Sequence, residues 1–541
     1  MYSVFASIPI LFIIFFIILL NKPSKIIIPI SFLIAFFISF FIWKVQLNDL
    51  IAASVLGVIK SFNIIIILFS SVLFLNLIKK TTSLESMNVF FASISMDRRI
   101  QFIIINMLLQ AFLEGISGFG ASGIIAIHLL ISIGFNPILA IIMTIFVTPI
   151  PTTFGAIGMP FSSMIISLGK DINLDSLFIH KILQNISIIH LILGVFLPII
   201  AVFIMIFIFE KKQQNKLQKL LEILPLIIVS HIIFMGGFYF FSKINHELTS
   251  VFSAAVALFF VILFVKFKIL TPKSIYRFEE DEKNSLLESN VYKNKKIMNI
   301  MRAFMPYILI TGLLLITRLN IFNTQTLLQK FVIKFDYLLS LLSNLDFHYN
   351  LPIGYNSGIF PFSLIIIFVI FYYKISKNNC KLALKETMDK MKASLLILFN
   401  IFSLIEIMSV SRYNYIVGGG VDSMLDEISK MISLILKDMF IFASPFFGFI
   451  GTLMSGSSTM SNILFSSLQY NTAIASGIDP IKIITLQNIG STIGNLSSIS
   501  NIIVICAIFG MKNYESKILR ITLIPAILYI LGSLLIVKFI I

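Results

Sequence analysis

Charge is what this chain has least of. Of its 541 residues only 12% are Asp, Glu, Lys or Arg, about half the ~25% usual in soluble domains. Hydrophobic residues make up 58%. So few charges cannot cover that much apolar material in water, so the solvent must be lipid. This excludes a cytosolic enzyme and a disordered chain. Cysteine is scarce too. Cys380 and Cys506 are the only two, and they are far apart without metal-ligand spacing, which excludes a disulfide scaffold and gives no metal site. Clustered carboxylates for a metal and a His/Asp nucleophilic set are also missing from the apolar regions. No enzyme activity and no cofactor are expected.

Acidic residues are the scarcer of the two signs. There are 25, against 41 Lys and Arg, giving a net charge of +16. The excess does not indicate nucleic acid. The basic residues flank apolar segments, as expected for loops on the cytoplasmic face of a bilayer.

Long apolar runs fill the rest. Clear spans lie near 2–20, 26–43, 62–78, 185–209, 223–242, 250–265, 304–318, 358–373, 393–411 and 521–541. The first lacks a basic n-region and a cleavage site and is read as a span. Regions 100–169 and 438–510 are apolar but interrupted by Gly, Ser, Thr, Asn and Pro. The expected fold is an all-α polytopic membrane protein with about 12 to 14 segments. Basic loops at 79–99, 210–222, 266–303 and 374–392 are cytoplasmic by the positive-inside rule. The charged stretch 271–303 is a cytoplasmic linker between a half at 1–270 and a half at 304–541.

The two interrupted regions form a weak repeat. Gly134-Phe-Asn-Pro137 in the first is matched by Gly477-Ile-Asp-Pro480 in the second. With these turns superposed, Thr148 falls on Ser491 and Thr152 on Asn495. The charge bias of their flanks runs in opposite senses. Inverted repeats with interrupted helices are the signature of secondary transporters, whose sites lie where the breaks meet. Helix length puts the breaks at membrane depth: Ile100 to Leu113 covers only ~21 Å of a ~30 Å hydrocarbon core.

The breaks carry the chemistry. Ser117, Gly118, Gly120 and Ser122 lie in a dense glycine run, where a restarting helix offers free N–H donors and a positive dipole end to a carboxylate. Ser457, Ser458, Thr459, Ser461 and Asn462 form the matching break. Thr148 and Thr152, and Ser491 and Asn495, mark the second break of each repeat. Hydroxyls and amides hold an anion without placing fixed charge in lipid. Glu114 is an isolated acid at membrane depth and the first candidate for carrying a proton. Glu406 and His128 are further candidates.

These residues resemble a known family. Phe112-Leu-Glu-Gly-Ile-Ser-Gly-Phe-Gly-Ala121, Gly134-Phe-x-Pro137 and Phe154-Gly-Ala-Ile-Gly-Met-Pro160 look like the N-terminal half of the bacterial L-lactate permeases. Ser444-Pro-Phe-Phe-Gly448, Ser455-Gly-Ser-x-Thr459-x-Ser461-Asn462, Gly490, Gly494 and Cys506-Ala507 look like the C-terminal half. The resemblance implies proton-coupled movement of lactate, or of related 2-hydroxy monocarboxylates such as glycolate, across the plasma membrane. Two positions depart from the family pattern: Ser458 replaces an Asp, and Thr148-Pro-Ile-Pro151 replaces an Asn-Thr-Ala-Pro run. The alternative is a sodium-coupled dicarboxylate carrier, since small-polar hairpins also coordinate Na⁺.

Overall fold

Each G-x-[ND]-P turn starts a helix as its residues dictate. Asn136 accepts a hydrogen bond from the Ile138 N–H at 3.0 Å, and Pro137 takes the first helical position. Asp479 accepts from the Ile481 N–H at 2.9 Å, ahead of Pro480. The side chain satisfies a free N–H, and proline has none to satisfy. The helices so started, Pro137–Val147 and Pro480–Ile493, have 11 and 14 residues, at most ~21 Å, too short to cross the hydrocarbon core.

The computed structural model describes residues 2–541 apart from 17–19, 21–22, 119–120, 169–175, 210–213, 279–298, 319–320, 344, 346, 348, 416–420 and 512–513. Most of the charged linker and Gly120 therefore lie outside the described residues. Among the described residues, ten helices are long and apolar enough to cross a membrane. Shorter apolar helices of 10–17 residues accompany them. The chain is thus a multi-pass, all-α membrane protein. Its described strands, Ile333–Lys334 and Asn350–Leu351, form one antiparallel pair.

One order of elements occurs twice. It runs from the long helix Leu47–Lys79 through the short helix Ser83–Ile94 to a helical stretch, Arg98–Ser117, that is π-helical over Phe102–Leu109. The helices Ala121–Ser132, Pro137–Val147 and Gly155–Leu168 follow, then Ser176–Leu193. The second series is Lys377–Val410, Met424–Leu436, Phe440–Ser455, Ser458–Ser476, Pro480–Ile493, Ile499–Ile508 and Glu515–Phe539. The two long helices that open the series pack against each other. Ser403 Oγ donates to Ser54 O at 2.8 Å, and Asn76 Nδ2 donates to Thr387 Oγ1 at 2.9 Å. Rising numbers on one helix meet falling numbers on the other, so the pair is antiparallel.

Burial follows position in the bundle. The first hairpin helix has no water-facing or lipid-facing side; its segment Phe102–Leu109 is buried throughout. Peripheral helices carry large exposed apolar side chains, such as Phe259 at 61% and Phe371 at 76% exposure. Such faces are stable against lipid tails, which are as apolar as they are.

Candidate functional site

The first hairpin breaks at Gly118, whose φ of 56° and ψ of −160° no side-chain-bearing residue adopts readily. A Cβ there would also lie 2.7 Å from the Ala156 Cβ. The matching hairpin breaks at Gly456, and Ser457 then caps the helix Ser458–Ser476 by accepting from the Met460 N–H at 3.4 Å. The second break of the first series follows Thr148-Pro149. Its chain resumes with Ala156, Ile157 and Gly158 at φ of 43°, 56° and 73°, a single left-handed turn. Left-handed backbone costs roughly 1–2 kcal/mol at each residue other than glycine, so Ala156 and Ile157 hold strain. The second break of the other series is the 3₁₀ turn Gly494–Ser497.

These four breaks enclose one cavity of about 110 Å³. A single water needs ~10–15 Å³ on this measure, so the space is large enough for a small organic molecule. Its polar lining is Glu114, Thr144, Thr148, Thr152, Ser457, Ser458, Thr459, Asn495 and Asn501. Its apolar lining is Ile124, Ile145, Ala156, Pro160, Ile502, Val504 and Ile505, with Gly118, Gly123, Gly155 and Gly456 adding bare backbone. Glu114 is the one acid among the lining residues, and no lysine or arginine joins it.

Glu114 is held by both breaks of its own series. Its Oε2 accepts from the Ser122 hydroxyl, and Oε1 lies 3.5 Å from the donating Thr152 Oγ1. The carboxyl is 2% exposed and has no cationic partner among the described residues. Two further rungs lie along the same pair of elements. Gln110 Nε2 donates to Thr148 Oγ1 at 2.6 Å, and Thr144 Oγ1 donates to Asn106 Oδ1 at 3.0 Å. Asn106, Gln110 and Glu114 recur at helical spacing, as do Thr144, Thr148 and Thr152, so one polar stripe faces another. Asn106 Nδ2 and Gln110 Oε1 are buried without a partner among the described residues. In the other series, Asn495 Nδ2 donates to Ser458 Oγ at 2.7 Å and to Thr492 O at 3.1 Å, tying its two breaks together.

The sequence-derived residues separate by position. Glu114, Gly118, Thr148, Thr152, Ser457, Ser458, Thr459 and Asn495 line the cavity. Ser122 stands behind Glu114 as its hydrogen-bond donor. Ser461, Asn462 and Ser491 are spent on packing instead. Ser461 donates to Gly448 O at 2.7 Å, Asn462 to Pro160 O at 2.9 Å and Ser491 to Asn488 O at 2.8 Å. Gly120 and the side chain of Ser117 lie outside the described residues. Glu406 is away from the cavity lining and pairs with Lys60 at 2.5 Å. His128 is exposed, and its ring meets Phe509 edge-on at 5.1 Å. Asn106 and Gln110 escaped the sequence reading. Their i, i+4, i+8 spacing with Glu114 was the available signal.

Comparison with known proteins bears on the same arrangement. A family model described as L-lactate permease matches residues 2–541. The L-lactate permease of Bacillus subtilis (strain 168) is 27% identical over 84% of this chain and 81% of its own length. That of Salmonella typhi is 25% identical over 97% of this chain and 93% of its own. The glycolate permease GlcA of Escherichia coli (strain K12) is 25% identical over the same shares, 97% and 93%.

Proposed function

Since this chain belongs to the L-lactate permease family, we propose that it carries L-lactate across the plasma membrane together with a proton. Glycolate and other small 2-hydroxy monocarboxylates fall within the same reading. The observation that carries it is the cavity's mixed lining: hydroxyls, amides and one carboxyl together with isoleucines and a valine. The N-terminal ends of Ala121–Ser132 and Ser458–Ser476 border it through Gly123 and Ser458. Free N–H groups and the dipole at such ends favour a carboxylate. The apolar lining residues accommodate a methyl group. A dicarboxylate would find no basic side chain among the lining residues for its second charge, which disfavours the sodium-coupled dicarboxylate reading.

In this reading Glu114 carries the proton, and Thr148, Thr152, Ser457, Ser458, Thr459 and Asn495 hold the anion. The repeats at 100–169 and 438–510 are related by a two-fold axis in the membrane plane. The antiparallel pairing of the long helices that precede them, Leu47–Lys79 and Lys377–Val410, supports that relation. Residues 271–303 form a cytoplasmic linker between the two transmembrane halves. No covalent step is required.

Uptake of labelled L-lactate into proteoliposomes tests the proposal. With an alkaline interior and no sodium, lactate should accumulate above its external concentration. Accumulation that needs sodium and ignores the pH gradient would refute it.

A further inference from the structure

The left-handed turn Ala156–Gly158 is strained, yet its first residue, Ala156, lines the cavity together with the preceding Gly155. Gly155, just before it, is so close to Glu114 that a Cβ there would sit 3.0 Å from Oε1. Ala156 presses on Gly118 in the other break. Something must hold this turn in place, and the contacts on its far side show what does.

Gly158 abuts the short 3₁₀ turn His246–Leu248. A Cβ on Gly158 would lie 2.9 Å from His246 Cδ2 and 3.0 Å from Glu247 Cα. His246 Nε2 also shares a hydrogen bond with Ser162 Oγ at 2.8 Å, one turn further along the same helix. Glu247 in turn is fixed. Its Oε2 accepts from Arg318 Nε at 2.9 Å and from Ser357 Oγ at 2.7 Å. The Arg318 side chain is fully buried. It donates to Tyr355 O at 3.1 Å, and its guanidinium lies 4.0 Å from the centre of the Tyr355 ring. Beside Ser357, Asn356 donates to Asn63 O at 2.8 Å on the long helix Leu47–Lys79. One chain of contacts therefore runs from that long helix, through Ser357, Arg318 and Glu247, to the strained turn and the cavity.

We propose that Arg318 and Glu247 are positioning residues that latch the left-handed turn Ala156–Gly158 shut against the cavity, and that the cavity opens on this side when the turn is released. The Arg318 side chain is fully buried and that of Glu247 is 16% exposed, so breaking the pair leaves a charge without its partner and removes what opposes release of the strained segment. Nothing in this inference depends on the identity of the cargo.

Thiol accessibility reads the latch without transport. Cys380 and Cys506, the two native cysteines, are replaced by serine, and Thr152→Cys is introduced as reporter in the cavity wall. Its rate of modification by a maleimide is measured in membranes. In this background Arg318→Gln and Glu247→Gln should each raise the rate roughly tenfold or more, because losing one partner of a buried pair shifts such equilibria beyond that factor. The charge swap Glu247→Arg with Arg318→Glu should bring the rate back towards the parent. A control reporter, Ala526→Cys, is fully buried in Glu515–Phe539 and should stay unreactive in every variant, which separates release of the turn from general unfolding.

Ile157→Gly supplies the opposite test. It removes the side chain that strains the left-handed turn, so the shut form gains and labelling should slow. This variant leaves the ion pair intact and keeps the inference testable if an Arg318 variant fails to fold. An Arg318→Gln protein that labels at the parental rate would overturn the proposal. So would Ile157→Gly labelling as fast as the parent, or the two reporters rising together.

Discussion

Replacing Glu114 by Gln should uncouple this transporter while leaving its cavity intact. Glu114 is 2% exposed and receives only hydroxyl hydrogen bonds, from Ser122 and from Thr152 at 3.5 Å. An ionised acid at membrane depth costs roughly 3 kcal/mol without a partner. A carboxylate bound about 5 Å away, at an effective dielectric of ~20, adds roughly 3 kcal/mol of repulsion. Only the second of these depends on both ligands, so the coupling is about 3 kcal/mol, or roughly two decades in affinity. Binding of the anion and of the proton are therefore linked, and each favours the other by the same factor. Gln has the shape of the protonated acid; its oxygen can accept from the Ser122 hydroxyl and its NH2 can donate to Thr152 Oγ1, so Glu114→Gln should still exchange internal for external lactate. It cannot release a proton, so accumulation should vanish. A pH step of one unit permits up to about tenfold accumulation by one-to-one symport in the parent protein, and the variant should remain near unity. The assay is labelled lactate in proteoliposomes, run once as counterflow and once under the pH step. A Gln variant that concentrates lactate on the pH step alone would refute the assignment of the proton to Glu114.

Asn495→Ala removes the amide that joins Ser458 to the backbone of the neighbouring break. The KM for lactate should rise by a factor of roughly 5–30, as for ~1–2 kcal/mol of lost hydrogen bonding, with a smaller change in maximal rate. Gly490→Ala would drive a Cβ into Pro445 O, whereas Gly236 has nothing within 4 Å of the added atom. The first should lower stability by about 1–3 kcal/mol or more, and the second should leave it unchanged or raise it slightly, measured as Tm of the purified protein. Glu406→Gln breaks the 2.5 Å pair with Lys60 and should cost roughly 1–3 kcal/mol of stability. Proton-driven accumulation should persist in that variant, and its loss would move Glu406 into the coupling machinery.

The breaks were legible because membrane helices cannot hide them. Glycine, proline and hydroxyl residues inside an apolar run leave backbone groups unpaired, and these must face protein or a wet cavity. That reasoning reached Glu114, Thr148, Thr152, Ser458 and Asn495, which the fold gathers around one cavity. It could not tell which face of a helix each hydroxyl occupies. Ser461 and Asn462 stand beside Ser458 in sequence but turn to Gly448 and Pro160. Glu406 looked isolated because its partner Lys60 is 346 residues distant. The left-handed turn was hidden for a different reason. Ala156 and Ile157 have no preference for such backbone, so the surroundings impose it, and the pair that holds those surroundings, Glu247 and Arg318, lies on separate elements.

The three polar rungs beside the cavity share one offset, for Asn106 and Thr144, Gln110 and Thr148, and Glu114 and Thr152 are each 38 residues apart. A ladder with a repeat of one turn has no unique register. Displaced by about 5.4 Å along its neighbour, the threonine element would set Thr148 opposite Glu114 and Thr144 opposite Gln110, with Ala140 left opposite Asn106. A slip of a single residue would instead swing every threonine about 100° off the stripe. Registers one full turn apart are therefore the ones this stripe would tolerate, at the cost of leaving Asn106 opposite an alanine. In either of them a threonine hydroxyl meets the carboxyl.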